Sequence, residues 1–228
     1  MVHSRFSKKG VPGFTLIELM VSLFIMAVAT SLLLANYPDS TLRIRLLNNT
    51  HNLALFILEA QRRGSAIDTT DDTIGGYGVL MSLTTTANTS PNKMALFSDS
   101  TGGVDIRNGA GIQIGDSVYD ITQSPNDKIK STLEFEDGFP IKKLCVVDVG
   151  APSGFLCNDN NVPVINTLTV SFSRPSQVAH IYINNSTSTD YMGACIQPYS
   201  PKTPASGHVR SVIVYHSGMV TTRMEPCD

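Results

Sequence analysis

The longest uninterrupted pattern in the chain is apolar and lies near its N-terminus. From Leu19 to Ala35 no residue is charged, and apolar side chains extend on both sides, from Phe14 to Tyr37, broken only by Glu18 and small polar groups. Roughly 20 such residues cross a bilayer as a helix, so this run is long enough to span one. Arg5, Lys8 and Lys9 precede it. The excess of basic residues on cytoplasmic flanks predicts that this end stays inside and that the C-terminal bulk lies outside.

Beyond the run the periodicity changes. Pro38 interrupts it near the membrane exit, where a missing N–H permits a kink or a melted turn. Residues 41–63 resume a helical pattern, with Leu42, Leu46, Leu53, Phe56, Ile57 and Ala60 recurring at helical spacing. Arg43, Arg45, Asn48, Asn49, Asn52, Glu59, Arg62 and Arg63 supply the polar face, and Gly64 is the predicted C-cap. A continuous helix over the 50 residues from Phe14 to Arg63 would be about 75 Å long.

After Gly64, runs of Val, Ile, Thr, Phe and Tyr alternate with Gly, Asn, Asp, Ser and Pro, the signature of strands and turns. Candidate strands are 76–83, 93–98, 112–121, 131–136, 141–148, 164–173, 178–184, 209–215 and 219–223. Leu168, Val170 and Phe172 alternate with Thr169, Ser171 and Ser173, as in a half-buried strand. The polar stretches 84–92 and 184–190 read as mobile surface loops. One long helix followed by mostly antiparallel strands predicts an α+β class. The implied segments are 1–13 as a leader, 14–37 as a transmembrane and assembly half-helix, 38–64 as an amphipathic half-helix, and 65–228 as a β-rich head.

The chain has 228 residues and a net charge of −2, which points to no nucleic-acid or acidic-lipid partner. Losing Arg5, Lys8 and Lys9 with the leader takes Lys+Arg from 17 to 14 against 19 acids, leaving about −5. Four cysteines, Cys145, Cys157, Cys195 and Cys227, form no CxxC or Cys/His pattern, which argues against zinc. An even count beyond a membrane segment predicts disulfides in an oxidising compartment. Of the three possible pairings, Cys145–Cys157 closes a short loop between strand-like runs, and Cys195–Cys227 ties down the C-terminus. Four free buried thiols are the alternative.

Glu18 is the most informative residue. A carboxylate in hydrocarbon is costly unless paired, and reads as functional. A secretory signal peptide would place its small-residue cleavage site after the apolar core; here Gly13 precedes it. Cutting between Gly13 and Phe14 would free an α-amine one helical turn from Glu18, cationic at neutral pH. The pair can neutralise itself within a subunit, or Glu18 of one subunit can meet the amine of the next and set the register of assembly. A simple anchor with a snorkelling acid is the plainer alternative.

The contiguous run Gly13-Phe14-Thr15-Leu16-Ile17-Glu18-Leu19 resembles the cleavage and methylation motif of type IV prepilins and type II secretion pseudopilins. The resemblance implies that prepilin peptidase cuts after Gly13 and methylates Phe14, that Glu18 serves assembly, and that the chain itself has no enzymatic activity and needs no cofactor. It also implies other pilin or pseudopilin subunits, an inner-membrane assembly platform and membrane lipid as partners. The chain would be a single-pass inner-membrane protein with its head outside the cytoplasm, then part of a periplasmic or cell-surface filament. Residues 53–66, with Glu59-Ala60-Gln61-Arg62, and the ending with Val209–Val214, Ser217-Gly218 and Arg223, are similar to minor pseudopilins of the GspH/FimT type. Some FimT-like pilins bind DNA through arginines after that glycine. Here Met219, Val220, Thr221 and Thr222 follow Gly218 and only Arg223 remains, a departure that counts against nucleic acid as a partner. Type II secretion, adhesion, twitching motility and DNA uptake all use such filaments, and these residues do not choose among them. An adhesive or DNA-binding tip subunit is the alternative role.

Other chemistry is sparse. His3, His51, His180, His208 and His216 are scattered without metal-helix spacing, and the last-but-two and last are placed on strands. No nucleophile elbow, phosphate loop or carboxylate pair stands out. Residues 99–111, with Asp99, Asp105 and several glycines, are loosely like a calcium loop but lack the spaced acids and terminal glutamate of an EF-hand; an Asx/Gly turn is the plainer account.

Overall fold

The structure is a computed structural model that describes residues 13–65, 74–100, 119, 127–136, 138–148, 154–159, 164–173, 177–186, 189, 191–199 and 209–227. The expected leader, apart from Gly13, and nearly all of the candidate strand 112–121 lie outside these residues. Tyr119, the one described residue of that segment, is not in a strand.

Helix α1 runs from Leu16 to Ser65, 50 residues without a break in helical assignment. The helical assignment continues through Pro38, so the melted turn that proline permits is not formed there. The chain divides into two compact units, Met1–Thr41 and Leu42–Asp228.

In the second unit α1 buries a stripe made of Leu46, Asn49, Thr50, Leu53, Ala54, Ile57, Ala60 and Gly64. The three- and four-residue spacing puts them on one face. Thr50 sits in this stripe at no polar cost, because its hydroxyl donates to the Leu46 carbonyl at 2.7 Å. Gly64 is inside the helix, not its cap: a Cβ there would stand 2.4 Å from the Phe172 carbonyl oxygen. The glycine serves close packing rather than termination.

The strands are β1 (Ile74–Ser82), β2 (Lys93–Ser100), β3 (Lys128–Glu134), β4 (Ile141–Val147), β5 (Leu156–Cys157), β6 (Thr167–Ser173), β7 (Ala179–Ile183), β8 (Gly193–Pro198), β9 (Ser211–Tyr215) and β10 (Val220–Arg223). They form two antiparallel five-stranded sheets, ordered β3-β2-β1-β6-β7 and β10-β9-β8-β4-β5. The fold is α+β and pilin-like, with its strands in two sheets. The main core joins Leu53, Ile57 and Ala60 of α1 to Val79, Leu96, Val170 and Phe172 of the first sheet and Leu144, Ile196 and Val212 of the second.

β6 departs from the half-buried expectation. Thr169, Ser171 and Ser173 are buried as deeply as Leu168, Val170 and Phe172. This strand is central in its sheet, between β1 and β7, and its polar face is covered too. The stretch 84–92 is internally bonded: Thr86 N–H donates to the Thr89 carbonyl at 2.7 Å, and Ser90 and Lys93 form a bridge.

Candidate functional site

Gly13, Phe14 and Thr15 precede the helix in non-helical chain, and all three are exposed. Among the described residues nothing lies within 4 Å of where a Gly13 Cβ would be. Thr15 then caps the helix. Its hydroxyl accepts the Glu18 N–H at 3.3 Å and its carbonyl accepts the Leu19 N–H at 3.2 Å. Thr15-Leu16-Ile17-Glu18 has the S/T-x-x-E spacing of a capping box. Glu18 stands in the first turn, where the helix dipole favours a negative charge.

The helix beyond this cap is apolar and uncovered. Residues 16–34 have a mean hydropathy of 2.3 and none of them is buried within the chain. Length and composition suit a bilayer span, and an entirely uncovered helix is not the core helix of its own domain. Its hydroxyls are satisfied internally: Ser22 donates to the Leu19 carbonyl at 2.9 Å, Thr30 to Met26 at 2.9 Å, and Ser31 to Val28 at 2.8 Å. The Glu18 carboxylate is different. Among the described residues it has no partner. Phe14, Glu18, Val21, Ser22 and Ile25 line one side of the helix, so the acid shares a face with the residue that follows Gly13.

The four cysteines come together in one buried cluster with Ile213. Cys145 is joined to Cys157 and Cys195 to Cys227. Cys145 is register partner to both Cys157 and Cys195, so the two bridges lie side by side across β5, β4 and β8. The second ties the last described residue of the chain to β8.

Other candidates resolve as follows. Arg223 donates to the Tyr215 hydroxyl at 3.1 Å, across the final hairpin. His180 lies on β7, but His216 lies in the turn after β9 rather than on a strand; their rings meet edge to face at 6.1 Å. His51 is on the exposed side of α1, and His3 and His208 lie outside the described residues. Asp99 is buried in β2, and 101–111 lie outside the described residues. Among the described residues no three His, Cys, Asp or Glu groups converge as a metal site.

Sequence reasoning missed an exposed apolar stripe on the second half of α1. Ile44, Leu47, Leu55 and Leu58 are all exposed, at helical spacing, on the side away from Leu46, Leu53 and Ile57. The signal is present as apolar residues among the polar ones, forming a second stripe opposite the buried one.

Residues 8–34 match the family model of the prokaryotic N-terminal methylation motif. That match supports a type IV pilin-like prepilin, a structural rather than an enzymatic class, and is consistent with membrane anchoring. Searches of curated proteins and of solved structures each gave no match.

Proposed function

We propose that the chain is a minor subunit of a type IV pilus or type II secretion pseudopilus. In this reading prepilin peptidase cuts between Gly13 and Phe14 and methylates the new Phe14 amine. The head is of the GspH/FimT type and stands outside the cytoplasm. The inner-membrane assembly platform then draws the subunit from lipid into a filament with other pilins or pseudopilins. The subunit's role is structural and requires no catalysis.

One observation carries this proposal: a carboxylate with no partner among the described residues, one turn inside an uncovered apolar helix, on the face shared with Phe14. In hydrocarbon such a group needs a cation, and the processed Phe14 amine of its own or a neighbouring subunit supplies one. The exposed stripe Ile44, Leu47, Leu55 and Leu58 extends the apolar surface offered to neighbouring helices beyond the span.

Mass spectrometry of the mature protein tests processing; it should begin at methylated Phe14. Replacement tests assembly. Glu18→Leu should leave processing intact and remove the protein from sheared filaments. A mature chain that still starts at Met1, or a Glu18→Leu protein that enters filaments at the normal level, would overturn the proposal.

A further inference from the structure

The first sheet has a second face, turned away from the main core. Leu168, Val170 and Phe172 of β6 belong to that core, so Thr167, Thr169 and Ser171 lie on the opposite face. Cross-strand register places Leu80 of β1 and Tyr182 of β7 on either side of Thr169. Beside Leu80 and Thr167 lies a cavity of about 290 Å³, close to the lower limit of small-ligand sites, roughly 300 Å³. Asn88, Tyr119 and Asn185 complete most of its lining.

Two internally tied turns present these groups. In the first, Thr89 N–H donates to the Thr86 hydroxyl at 3.1 Å and the two hydroxyls are 2.9 Å apart. The turn satisfies itself and leaves the Asn88 side chain to face elsewhere. Its amide donates to the Tyr119 hydroxyl at 3.1 Å, and its carboxamide oxygen remains an acceptor. In the second, Asn184 and Asn185 are consecutive non-glycine residues at positive φ, 52° and 53°. Ile183 and Ser186 pair across them, so they are the two central residues of a type I′ hairpin turn, which favours asparagine. The Asn184 carboxamide holds the preceding chain, accepting from Asn166 N–H at 2.9 Å and Thr167 N–H at 3.3 Å. That fixes the turn and sets Asn185 at the cavity, where its carboxamide makes no hydrogen bond to the described residues.

The lining selects a ligand class. Among the described residues it contains no charged side chain, so these residues offer no ion pair to a phosphate or carboxylate and no hard anionic oxygen to a cation. Burial, and then the charge of Asp127, push the Tyr119 phenol above its ordinary value, so it stays a neutral hydroxyl. Carboxamides and hydroxyls beside an aromatic ring and the aliphatic Leu80 match a ring that carries several hydroxyl groups and has an apolar C–H face.

We propose that this cavity binds a neutral sugar ring, held by the carboxamides of Asn88 and Asn185 next to Tyr119. The inference stands apart from the filament role and does not depend on processing.

The test uses the full-length protein in a zwitterionic detergent, because sugar-headed detergents would compete. It is applied to an array of neutral oligosaccharides and to matched sialylated and sulfated ones. Retention of a neutral glycan is expected, with competition by the corresponding methyl glycoside. Calorimetric affinity should fall at least tenfold in Asn185→Gly, which keeps the left-handed turn and removes the amide, and in Asn88→Ala, which alters an exposed loop. Three results would each overturn the proposal: no neutral glycan retained, a preference for the anionic set, or affinity unchanged in both variants.

Discussion

The backbone of Gly64 lies directly against Phe172: a Cβ built on Gly64 would stand 2.4 Å from the Phe172 carbonyl oxygen and 2.8 Å from its Cβ. The same carbonyl is 2.5 Å from where a Gly76 Cβ would be. β6 is thus gripped between α1 and β1 at two residues that lack side chains. At Gly64 the helix meets the sheet with no side chain of its own between them.

This relationship fixes the sign of a substitution. In a free helix interior, alanine is better than glycine by about 1 kcal/mol. Here the added methyl meets backbone, which cannot swing aside, and overpacking costs about 1–3 kcal/mol. Gly64→Ala should therefore lower the urea midpoint of the head's unfolding transition. A midpoint that rises instead would mean that α1 and β6 are not in close contact.

Gly218 closes the final hairpin at φ +85°, and a Cβ there would meet the Gln177 carbonyl oxygen and the Gln61 side-chain nitrogen. Gln61 of α1 donates to the Gly218 carbonyl at 3.0 Å and to the Gln177 carbonyl at 3.4 Å. One carboxamide thus links the helix to two turns. Gln61→Ala should cost about 1 kcal/mol, the usual net worth of a hydrogen bond. Gly218→Ala should cost more, because it adds a left-handed residue, about 1–3 kcal/mol, to the same loss. Thermal melts of the two variants should rank in that order; the reverse order would place the strain elsewhere.

How far the sequence carried depended on where each signal came from. The apolar span, the helix of 41–63 and the strands with Val/Ile/Phe alternation were legible because local periodicity encodes them. β8 was not. Gly193-Ala-Cys-Ile-Gln-Pro198 has a glycine at one end and a proline at the other, which reads as loop, yet it is the central strand of the second sheet. Its strand state comes from pairing with β4 and β9 on either side, a tertiary cause with no local trace. Gly64 failed for the same reason: a glycine near a helix end reads as a cap, and only the position of Phe172 shows that it is a contact. At the N-terminus the reverse held for the span itself: an apolar run with Glu18 in its first turn stands out in one dimension.

Glu59 gives the head a specific acid sensitivity. Hydrogen bonds from Arg62, at 2.9 Å to each oxygen, and from Arg63 hold its carboxyl well below the usual value, from 4.5 to about 2. A depressed folded-state pKa means that the group stabilises the fold above its unfolded value. That contribution is lost as pH falls from about 4.5 to about 2. Both arginines are solvent-exposed, so screening keeps the effect to about 0.5 kcal/mol. NMR titration should place the Glu59 midpoint below the ordinary value of 4.5, and Glu59→Gln should flatten the stability profile below that value. A midpoint near the ordinary value would mean that the arginines do not hold the carboxylate in solution.

The two disulfides should differ in worth although they share one cluster. Cys145–Cys157 closes a separation of 12 residues and Cys195–Cys227 one of 32. Loop-closure entropy favours the longer by roughly 0.9 kcal/mol. The difference is reinforced by what each one holds. Cys145 and Cys157 are already register partners in paired strands, so their bridge repeats a constraint that the ladder supplies. Cys227 follows β10, which among the described residues is an edge strand paired only with β9. Beyond that strand, the chain end is held by the disulfide, by the Cys227 N–H donating to the Gln197 side chain at 3.2 Å, and by Ser211 donating to the Glu225 carbonyl at 2.8 Å. Replacing both Cys195 and Cys227 by alanine should therefore cost about 2–4 kcal/mol and raise amide exchange in Val220–Arg223. Replacing Cys145 and Cys157 should cost less and leave exchange in β10 unchanged. Equal losses, with no local exchange at β10, would show that the C-terminus is secured by its packing on Ile213 rather than by the covalent tie.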